Sequence, residues 1–364
     1  MDHLHEEVLS YIISQGNSKI KDVSIDDYFG SYTKTELFNF LSLYRLSMKD
    51  VIEAYVLENK SKKELIKYIG ENVEDILKIN FNFIKEQDLD ILRELLPNIL
   101  EKEFDVTESR ISLSLVKYLK IFNIAKFECG SDYIKMFIPK EIINTLLKLL
   151  KSKRALKDNK KYNDNFNYLC GITKAYGIID FETLFDFFNK DMYKIKKDDL
   201  EKMINSFSIA NDDLNVYEYS DTYIICEAEF IDEEMALQFY ESQIGEYVSY
   251  ELDEIMAMND GSFIKSSTYY GSLINFLNDK FDLTDEDLDD IFNYFVQDYV
   301  FTASIDPDEA NNNFLQKADE MFYVSDEEIE QMRLIVERIY LDYPKWIERG
   351  KIWNLGFQDF FIFS

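Results

Sequence analysis

The sequence predicts a mainly α-helical protein with small β-hairpins, in which tandem winged-helix-like modules are followed by an acidic helical domain. Three observations predict this fold class. Helical periodicity extends along most of the 364 residues, two short hairpin patterns each follow helical segments, and acidic residues are concentrated toward the C-terminus. The chain has only 4 Pro and 11 Gly, which favours helices joined by short turns. Because 46% of the residues are hydrophobic, the chain can form packed cores.

We expect several consecutive parts, because the chain is longer than one ordinary domain. The boundaries follow the helical and hairpin patterns. The parts are an N-terminal helical region (1–84), a first winged-helix-like module with a basic tail (85–161), a second winged-helix-like module (162–232) and an acidic helical domain (233–364).

Four helix starts are marked by a Ser or Thr followed three residues later by an acid. In this spacing the cap side chain and the acid satisfy free backbone amides. An amphipathic helix is expected over residues 326–343. Pro97 is expected to interrupt a helix of the first module. The four pairs are Thr33–Glu36, Ser61–Glu64, Thr284–Asp287 and Ser325–Glu328. After Thr284 the apolar residues form one helical stripe: Leu288, Ile291, Phe292, Phe295, Val296 and Tyr299.

Each winged-helix-like module ends in a predicted hairpin. The first hairpin covers residues 123–139 and the second covers residues 213–230. Three helices precede the second hairpin, over residues 166–176, 181–189 and 196–206. Helices followed by a hairpin have the order of a winged helix, and a small helical bundle with a hairpin is the alternative.

Residues 31–74 contain two helical patterns, "SYTKTELFNFLSLYRLS" and "NKSKKELIKYIGENV", separated by a spacer. Each helix opens with a polar cap, and the pair resembles the helix-loop-helix of SAP and Rho N-terminal domains. Those families often contact nucleic acid, and the resemblance implies that the matching basic positions are Lys60, Lys62, Lys63 and Lys67. An ordinary solvated face is the alternative interpretation.

The segment "IYLDYPKWIERGKIWNLGF" (339–357) resembles a turn of bacterial proteins that carry a SEC-C zinc motif at the C-terminus. The matching residues are Tyr343, Pro344, Trp346 and Gly350. The order of a Rho-N-like start, a winged-helix-like middle and an acidic helical end is also similar. The zinc-binding cysteines are absent, since no cysteine follows Cys226. The resemblance therefore implies architecture and no zinc site.

Charge is unevenly distributed along the chain. Residues 1–203 contain 32 Lys and Arg against 34 Asp and Glu, whereas residues 204–364 contain 8 against 36, a net charge of -28. A negative field repels nucleic acid and attracts basic partners, and a solubilising surface is the alternative interpretation. We predict an acidic partner face formed by Asp285, Glu286, Asp289 and Asp290.

The densest basic stretch is "KLLKSKRALKDNKK" (148–161), between the two winged-helix-like modules. It is a candidate phosphate-binding surface, with a solvated helix end or pairing with the acidic half as alternatives. The predicted third helix adds three candidate cations but also Asp198, Asp199 and Glu201, which favours protein binding over DNA reading. The candidate nucleic-acid contacts are Lys151, Lys153, Arg154, Lys157, Lys160, Lys161, Lys196, Lys197 and Lys202.

Most enzyme classes are excluded by missing residues. The only histidines are His3 and His5, so Ser-His-Asp and Cys-His catalysis have no base, and no phosphate-binding glycine motif occurs. The acids after Thr284 do not form an EF-hand, because Asp290 and Val296 occupy the positions of its Gly and Glu. We therefore expect no metal, no cofactor and no enzymatic activity.

The remaining features predict a cytoplasmic interaction protein. Three widely spaced cysteines fit reduced thiols, and neither a secretory signal nor a membrane-spanning run is recognised. We expect a regulator that docks a protein partner with a basic surface, in the manner of phage or mobile-element inhibitors whose acidic half mimics nucleic acid. The alternative is a nucleic-acid-binding transcriptional regulator whose winged-helix modules are masked by the acidic domain. The oligomeric state is left open.

Overall fold

The computed structural model is mainly α-helical and contains two small antiparallel sheets. The chain groups into two compact units: unit 1 comprises residues 1–165 and 198–211, and unit 2 comprises residues 166–197 and 212–364. The division into four parts by sequence stays a prediction. The structure describes residues 25–48, 56–101, 104–105, 111–129, 134–211, 213–322 and 325–352.

Unit 1 combines helices with one sheet of strand order β1-β3-β2. Two of its helices are shared with unit 2. The helix Lys153–Tyr176 continues past residue 165, and the helix Lys197–Ala210 begins one residue before 198. Its elements are α1 (Ile25–Gly30), α2 (Lys34–Ser47), α3 (Lys62–Asn80), a 3-10 turn (Phe81–Phe83), α4 (Asp88–Glu101), β1 (Phe104–Asp105), α5 (Leu113–Ile121), β2 (Lys126–Cys129), β3 (Ile134–Phe137), α6 (Lys140–Lys151), α7 (Lys153–Tyr176) and α9 (Lys197–Ala210).

Unit 2 combines a second sheet of strand order β4-β6-β5 with a larger set of helices. Its elements are β4 (Ile178–Asp180), α8 (Phe181–Asp191), β5 (Leu214–Tyr219), β6 (Thr222–Glu227), α10 (Glu233–Ser242), α11 (Leu252–Asn259), α12 (Ser262–Lys265), α13 (Thr268–Asn278), α14 (Asp285–Asp290), a π-helix (Ile291–Gln297), α15 (Asp298–Ile305), α16 (Pro307–Met321), α17 (Asp326–Leu341) and a 3-10 turn (Trp346–Glu348).

All four predicted helix starts are confirmed. At the start of α2, α3, α14 and α17, the cap hydroxyl accepts from the backbone N–H three residues later, and the acid there accepts from the cap N–H. In α17, for example, the Ser325 N–H donates to Glu328 Oε2 at 2.7 Å. These contacts join residues three apart, so they depend only on local sequence.

Both predicted hairpins are confirmed, as β2–β3 and β5–β6. Each sheet also has a third strand that was not predicted, because β1 pairs with β3 and β4 pairs with β6. β1 has two residues and β4 has three, which is too short for an alternating apolar pattern. Asp180 ends β4 and also caps α8, where its Oδ1 accepts from the Thr183 N–H at 2.9 Å.

The predicted interruption at Pro97 is wrong, since α4 continues through this residue. Leu92 and Leu96 are fully buried, so the apolar face of the helix packs on the core up to the proline. Pro97 itself is exposed, where water can bind the carbonyl that loses its N–H partner. Packing of the apolar face outweighs the loss of one hydrogen bond.

The helix predicted after Thr284 forms, but its middle turn is a π-helix. The predicted stripe is buried from Ile291 to Tyr299, and Leu288 is half-buried. The Lys317 ammonium donates to the Tyr294 carbonyl at 3.1 Å and pairs with Asp298 at 2.7 Å. Groups that bind helix carbonyls from outside are a known cause of such irregular turns.

The turn that follows α17 closes the core of unit 2. Trp346 is fully buried against Phe230 and Phe301, and its Nε1 donates to the Lys174 carbonyl at 2.7 Å. The Tyr343 hydroxyl donates to the same carbonyl at 2.9 Å. The residues of the SEC-C-like turn thus fasten the end of α7 and have a structural role.

Candidate interaction surfaces

The basic stretch forms the end of α6 and one face of the start of α7. Lys153, Lys157 and Lys161 follow one another at four-residue spacing and are exposed, and Arg154 and Lys160 are exposed beside them. Lys151 ends the preceding helix α6 and is also exposed. The six predicted cations at 151–161 therefore lie on two consecutive helices of unit 1.

The opposite face of α7 is fixed by buried asparagines. Asn159 is fully buried, and its Nδ2 donates to the carbonyls of Phe81 and Ile84, both at 2.9 Å. Asn163 Nδ2 donates to the Ile84 carbonyl at 3.0 Å. A buried amide group is destabilising without a hydrogen-bond partner, so Asn159 and Asn163 must face these carbonyls. This requirement fixes the rotation of α7 about its axis and keeps its cations on the solvent side.

Part of this basic face is neutralised within unit 1. Lys160 lies 3.5 Å from Glu86 and 3.5 Å from Asp164, and these two acids raise the pKa of Lys160. Lys151, Lys153 and Lys157 make no ion pair with any residue in the described ranges. The uncompensated positive charge of this stretch is therefore limited to Lys151, Lys153 and Lys157, which we call the basic ridge.

The other predicted cations lie apart from this ridge in sequence. Lys202 is exposed on α9, and Lys196 is exposed just before that helix. Lys197 pairs with Glu182 and lies 5.5 Å from the ring of Phe185. The charge of Lys197 is therefore already compensated by Glu182, which makes it a weaker candidate for a phosphate contact.

The SAP-like segment forms α2 and α3, and a groove of about 840 Å³ lies between α1 and α3. Lys62, Lys63 and Lys67 line this groove together with Ile66. Lys62 donates to the Gly30 carbonyl at 2.7 Å, and Lys67 lies 3.8 Å from Glu71. Lys62 thus bonds α3 to the end of α1 and Lys67 pairs within α3, which supports the interpretation as a solvated face.

Unit 2 carries nearly all of the net negative charge of the chain. It contains 13 Lys and Arg against 40 Asp and Glu, a net charge of -27, whereas unit 1 contains 27 against 30. From residue 212 onward, eight cations face 36 acids. Each of the eight is engaged by a carboxylate, a backbone carbonyl or an aromatic ring, as in Lys265–Asp289 (3.5 Å) and Lys280–Glu328. Most carboxylates of unit 2 are therefore left without a cation.

The predicted acidic face begins α14. Asp289 is exposed but pairs with Lys265, which also stacks 4.2 Å from the ring of Phe292. Asp290 is half-buried, and the side chains of Asp285 and Glu286 lie outside the described residues. The exposed acids of α10, Glu233, Glu234 and Glu241, were not among the predicted residues, although the run Asp232-Glu233-Glu234 is a sequence signal for them.

Two buried ionisable groups lie in the core of unit 2. Burial raises the pKa of Glu227 to about 7, and its Oε2 accepts from the Glu229 N–H at 2.7 Å. Burial lowers the pKa of Lys345 to about 7, and its ammonium donates to the carbonyls of Tyr340 and Tyr343 at the end of α17. Both side chains are closed off from solvent and occupied by backbone groups, so we assign them structural roles.

The remaining features concern metal sites, thiols, histidines and membrane-spanning helices, none of which the sequence predicted as functional. Within the described ranges, no three His, Cys, Asp or Glu side chains are grouped so as to hold a metal ion. Cys170 and Cys226 are buried and form no disulfide, and burial raises the pKa of the Cys226 thiol. His3 and His5 lie outside the described residues. Among the helices that the structure describes, none combines the length and apolar character needed to cross a membrane.

No protein-family model matches the chain, and comparisons with curated proteins and with solved structures find no match. The resemblances to SAP, Rho N-terminal and SEC-C-associated proteins therefore stay predictions.

Proposed function

We propose that this protein is a non-enzymatic interaction protein whose acidic unit 2 docks a basic surface of a protein partner. The observation that carries this proposal is the uncompensated charge of unit 2, in which eight cations, all engaged, face 36 acids from residue 212 onward. Such a field raises the rate at which a basic partner associates and selects against acidic partners. Imitation of nucleic acid is the special case in which the partner's basic groove normally holds a duplex.

The order of elements supports winged-helix modules as the scaffold for this docking. Helix α7 is followed by strand β4, helices α8 and α9, and hairpin β5–β6, and β4 pairs with the last strand of the hairpin. The first sheet has the same strand order, with β1 paired to β3. The hairpin tip carries Glu218 and Asp221, both exposed, which would face a phosphate backbone unfavourably. A winged helix with an acidic wing fits a protein-binding use.

The proposal predicts salt-sensitive binding to a basic peptide. We expect the full-length protein to raise the anisotropy of a fluorescein-labelled peptide of alternating Lys and Ser. We expect the Kd to rise roughly tenfold between about 50 and about 200 mM salt, because the interaction is between exposed charges. A peptide of alternating Glu and Ser is the control for charge sign. Absence of binding to the Lys-Ser peptide at low salt would contradict the proposal.

Matched variants assign this binding to one unit. Neutralising three exposed acids of unit 2 should weaken peptide binding several-fold, whereas neutralising three exposed acids of unit 1 should change it little. Equal effects of the two sets would show that peptide binding depends on the net charge of the whole chain and not on unit 2. The first set is Asp308→Asn, Glu309→Gln and Glu327→Gln, and the second set is Asp75→Asn, Glu94→Gln and Glu141→Gln.

A second candidate function is nucleic-acid binding by the basic surface at the end of α6 and the start of α7, favoured by the uncompensated cations Lys151, Lys153 and Lys157. A truncated chain that ends at residue 232 is not a suitable test of this second candidate function. Ile178 and Phe230 pack in the same buried cluster as Leu273 and Trp346, so the truncation would remove part of a core. The full chain is therefore the right material.

If α7 binds nucleic acid, the full chain should raise the anisotropy of a labelled duplex or single strand at about 50 mM salt. The double variant Lys153→Ala/Lys157→Ala should then weaken binding roughly tenfold, because two phosphate contacts are lost. The matched control is Lys78→Ala/Lys140→Ala, which removes two exposed cations of unit 1 elsewhere. No binding by the full chain, or equal loss in both variants, would sink this candidate.

A further inference from the structure

Helix α10 presents aliphatic side chains to solvent at both of its ends. Ile231, directly before the cap residue Asp232, is 83% exposed, and Ile244, two residues after the helix, is 58% exposed. A residue at the position of Ile231 often packs against the fourth helical residue and fixes the entry of the chain. Here that residue, Ala236, is already fully buried while Ile231 is left in water.

The exposure of these isoleucines is not due to loose chain ends. The Ile231 N–H donates to the Glu229 carbonyl at 3.1 Å, and the preceding Phe230 is fully buried. The Ile244 N–H donates to the Ile347 carbonyl at 2.8 Å. Gln243 is buried, and its Nε2 donates to the Trp346 carbonyl at 2.8 Å. Both aliphatic side chains are thus held outward by an ordered backbone.

The outward face of α10 between the isoleucines is acidic. Glu233 and Glu241 lie about two helical turns apart, with Glu234 beside Glu233. The three glutamates are exposed, and none of them pairs with a Lys or Arg in the described part of the chain. The Glu241 carboxylate accepts from the Tyr219 hydroxyl at 3.4 Å, and Glu234 accepts from Gln238 at 3.1 Å. Helix α10 therefore combines exposed aliphatic residues at its flanks with uncompensated negative charge between them.

We propose that this face of α10, from Ile231 to Ile244, is where unit 2 docks its partner, and that the occupant is a basic amphipathic helix of a protein. The proposal rests on the docking function proposed above and names the surface and the chemistry of the partner. Charge complementarity selects a cationic occupant, because glutamates without cations would oppose any acidic or neutral apolar segment. The two isoleucines would supply the apolar contacts that oligolysine alone cannot use.

The length of α10 sets the spacing required of the occupant. Ile231 and Ile244 lie 13 residues apart along the chain, which is roughly 20 Å at helical rise, or nearly four helical turns. A partner helix lying along α10 would meet them with apolar side chains about fourteen residues apart, and with Lys or Arg between them. This pattern defines a probe peptide.

The test compares two labelled peptides of equal charge. One is a Lys/Ala helix with leucines about fourteen residues apart, and the other has alanine in place of the leucines. Titrated with the full-length protein, the leucine peptide should bind about tenfold more tightly. The double variant Ile231→Ser/Ile244→Ser should remove this advantage and leave binding of the alanine peptide unchanged.

Two matched variants make the outcomes distinct. Leu315→Ser/Leu334→Ser removes leucines of unit 2 that are 44% and 45% exposed, and it should preserve the leucine advantage. Glu233→Gln/Glu234→Gln/Glu241→Gln should weaken both peptides. If the isoleucine and leucine variants lose the advantage equally, or neither loses it, the assignment to α10 is overturned while the proposed docking function stands. If neither peptide nor the Lys-Ser peptide binds, the docking function fails as well.

Discussion

Replacing Gly177 with alanine is expected to lower the free energy of unfolding of unit 2 by roughly 2–4 kcal/mol. Gly177 ends α7 with a φ of 70°, which an L-residue adopts only with strain. A Cβ there would also lie 2.6 Å from Cδ2 of Trp346, closer than a carbon atom can approach. The indole cannot easily yield, because it is fully buried and its Nε1 is bonded to the Lys174 carbonyl.

Gly245→Ala is the matched control for this substitution. Gly245 has a φ of 81°, but it is exposed and a Cβ there would meet no atom within 4 Å. It should therefore show only the backbone cost, about 1 kcal/mol. Urea unfolding followed by tryptophan fluorescence reports on unit 2, because both tryptophans, Trp346 and Trp353, fall within its residue range. Equal destabilisation by the two substitutions would refute the role assigned to the Trp346 contact.

The second large effect concerns pH and Glu227. Its pKa is raised by burial from 4.5 to about 7, so between these values the folded state keeps a proton that the unfolded state has released. The unfolding free energy therefore falls as pH rises through this interval, by about 3 kcal/mol from Glu227 alone. The stabilising contribution is fully present below pH 4.5 and is lost once the pH exceeds 7.

Glu227→Gln removes this dependence, because an amide has no proton to release in the interval. The variant's stability relative to the wild type should thus rise by about 3 kcal/mol between about pH 5 and about pH 8. Taking the difference at each pH cancels the titration of the other acids. Glu218→Gln, at an exposed position of the same hairpin, controls for the loss of one carboxylate. A difference that stays constant across the interval would show that Glu227 is not a buried acid.

Charge asymmetry was the part of the candidate site that could be predicted from sequence. The counts in the two halves of the chain required no structure, and the basic stretch at 148–161 is indeed exposed. Whether an individual charge is compensated could not be predicted. Asp289 belongs to the predicted acidic face, yet Lys265, from another helix, lies 3.5 Å away. Ion pairs of this kind depend on residues that the fold brings together.

Local contacts explain what the sequence by itself determined. The four capping boxes and the two hairpins join residues close along the chain, and hydrogen bonds between near neighbours form with little loss of chain entropy. The mainly helical class follows from the same short-range patterns. The excess of acids after residue 212 is likewise a property of composition.

Only the tertiary structure decided the features that depend on distant residues. The pairing of β4 with β6, the passage of α4 through Pro97 and the contact of Gly177 with Trp346 each require partners far away in sequence or burial of a whole face. The exposure of Ile231 and Ile244 belongs to the same class, since isoleucine is among the residues most often buried in folded proteins. Packing, which is settled by the whole fold, overrides local preference at these positions.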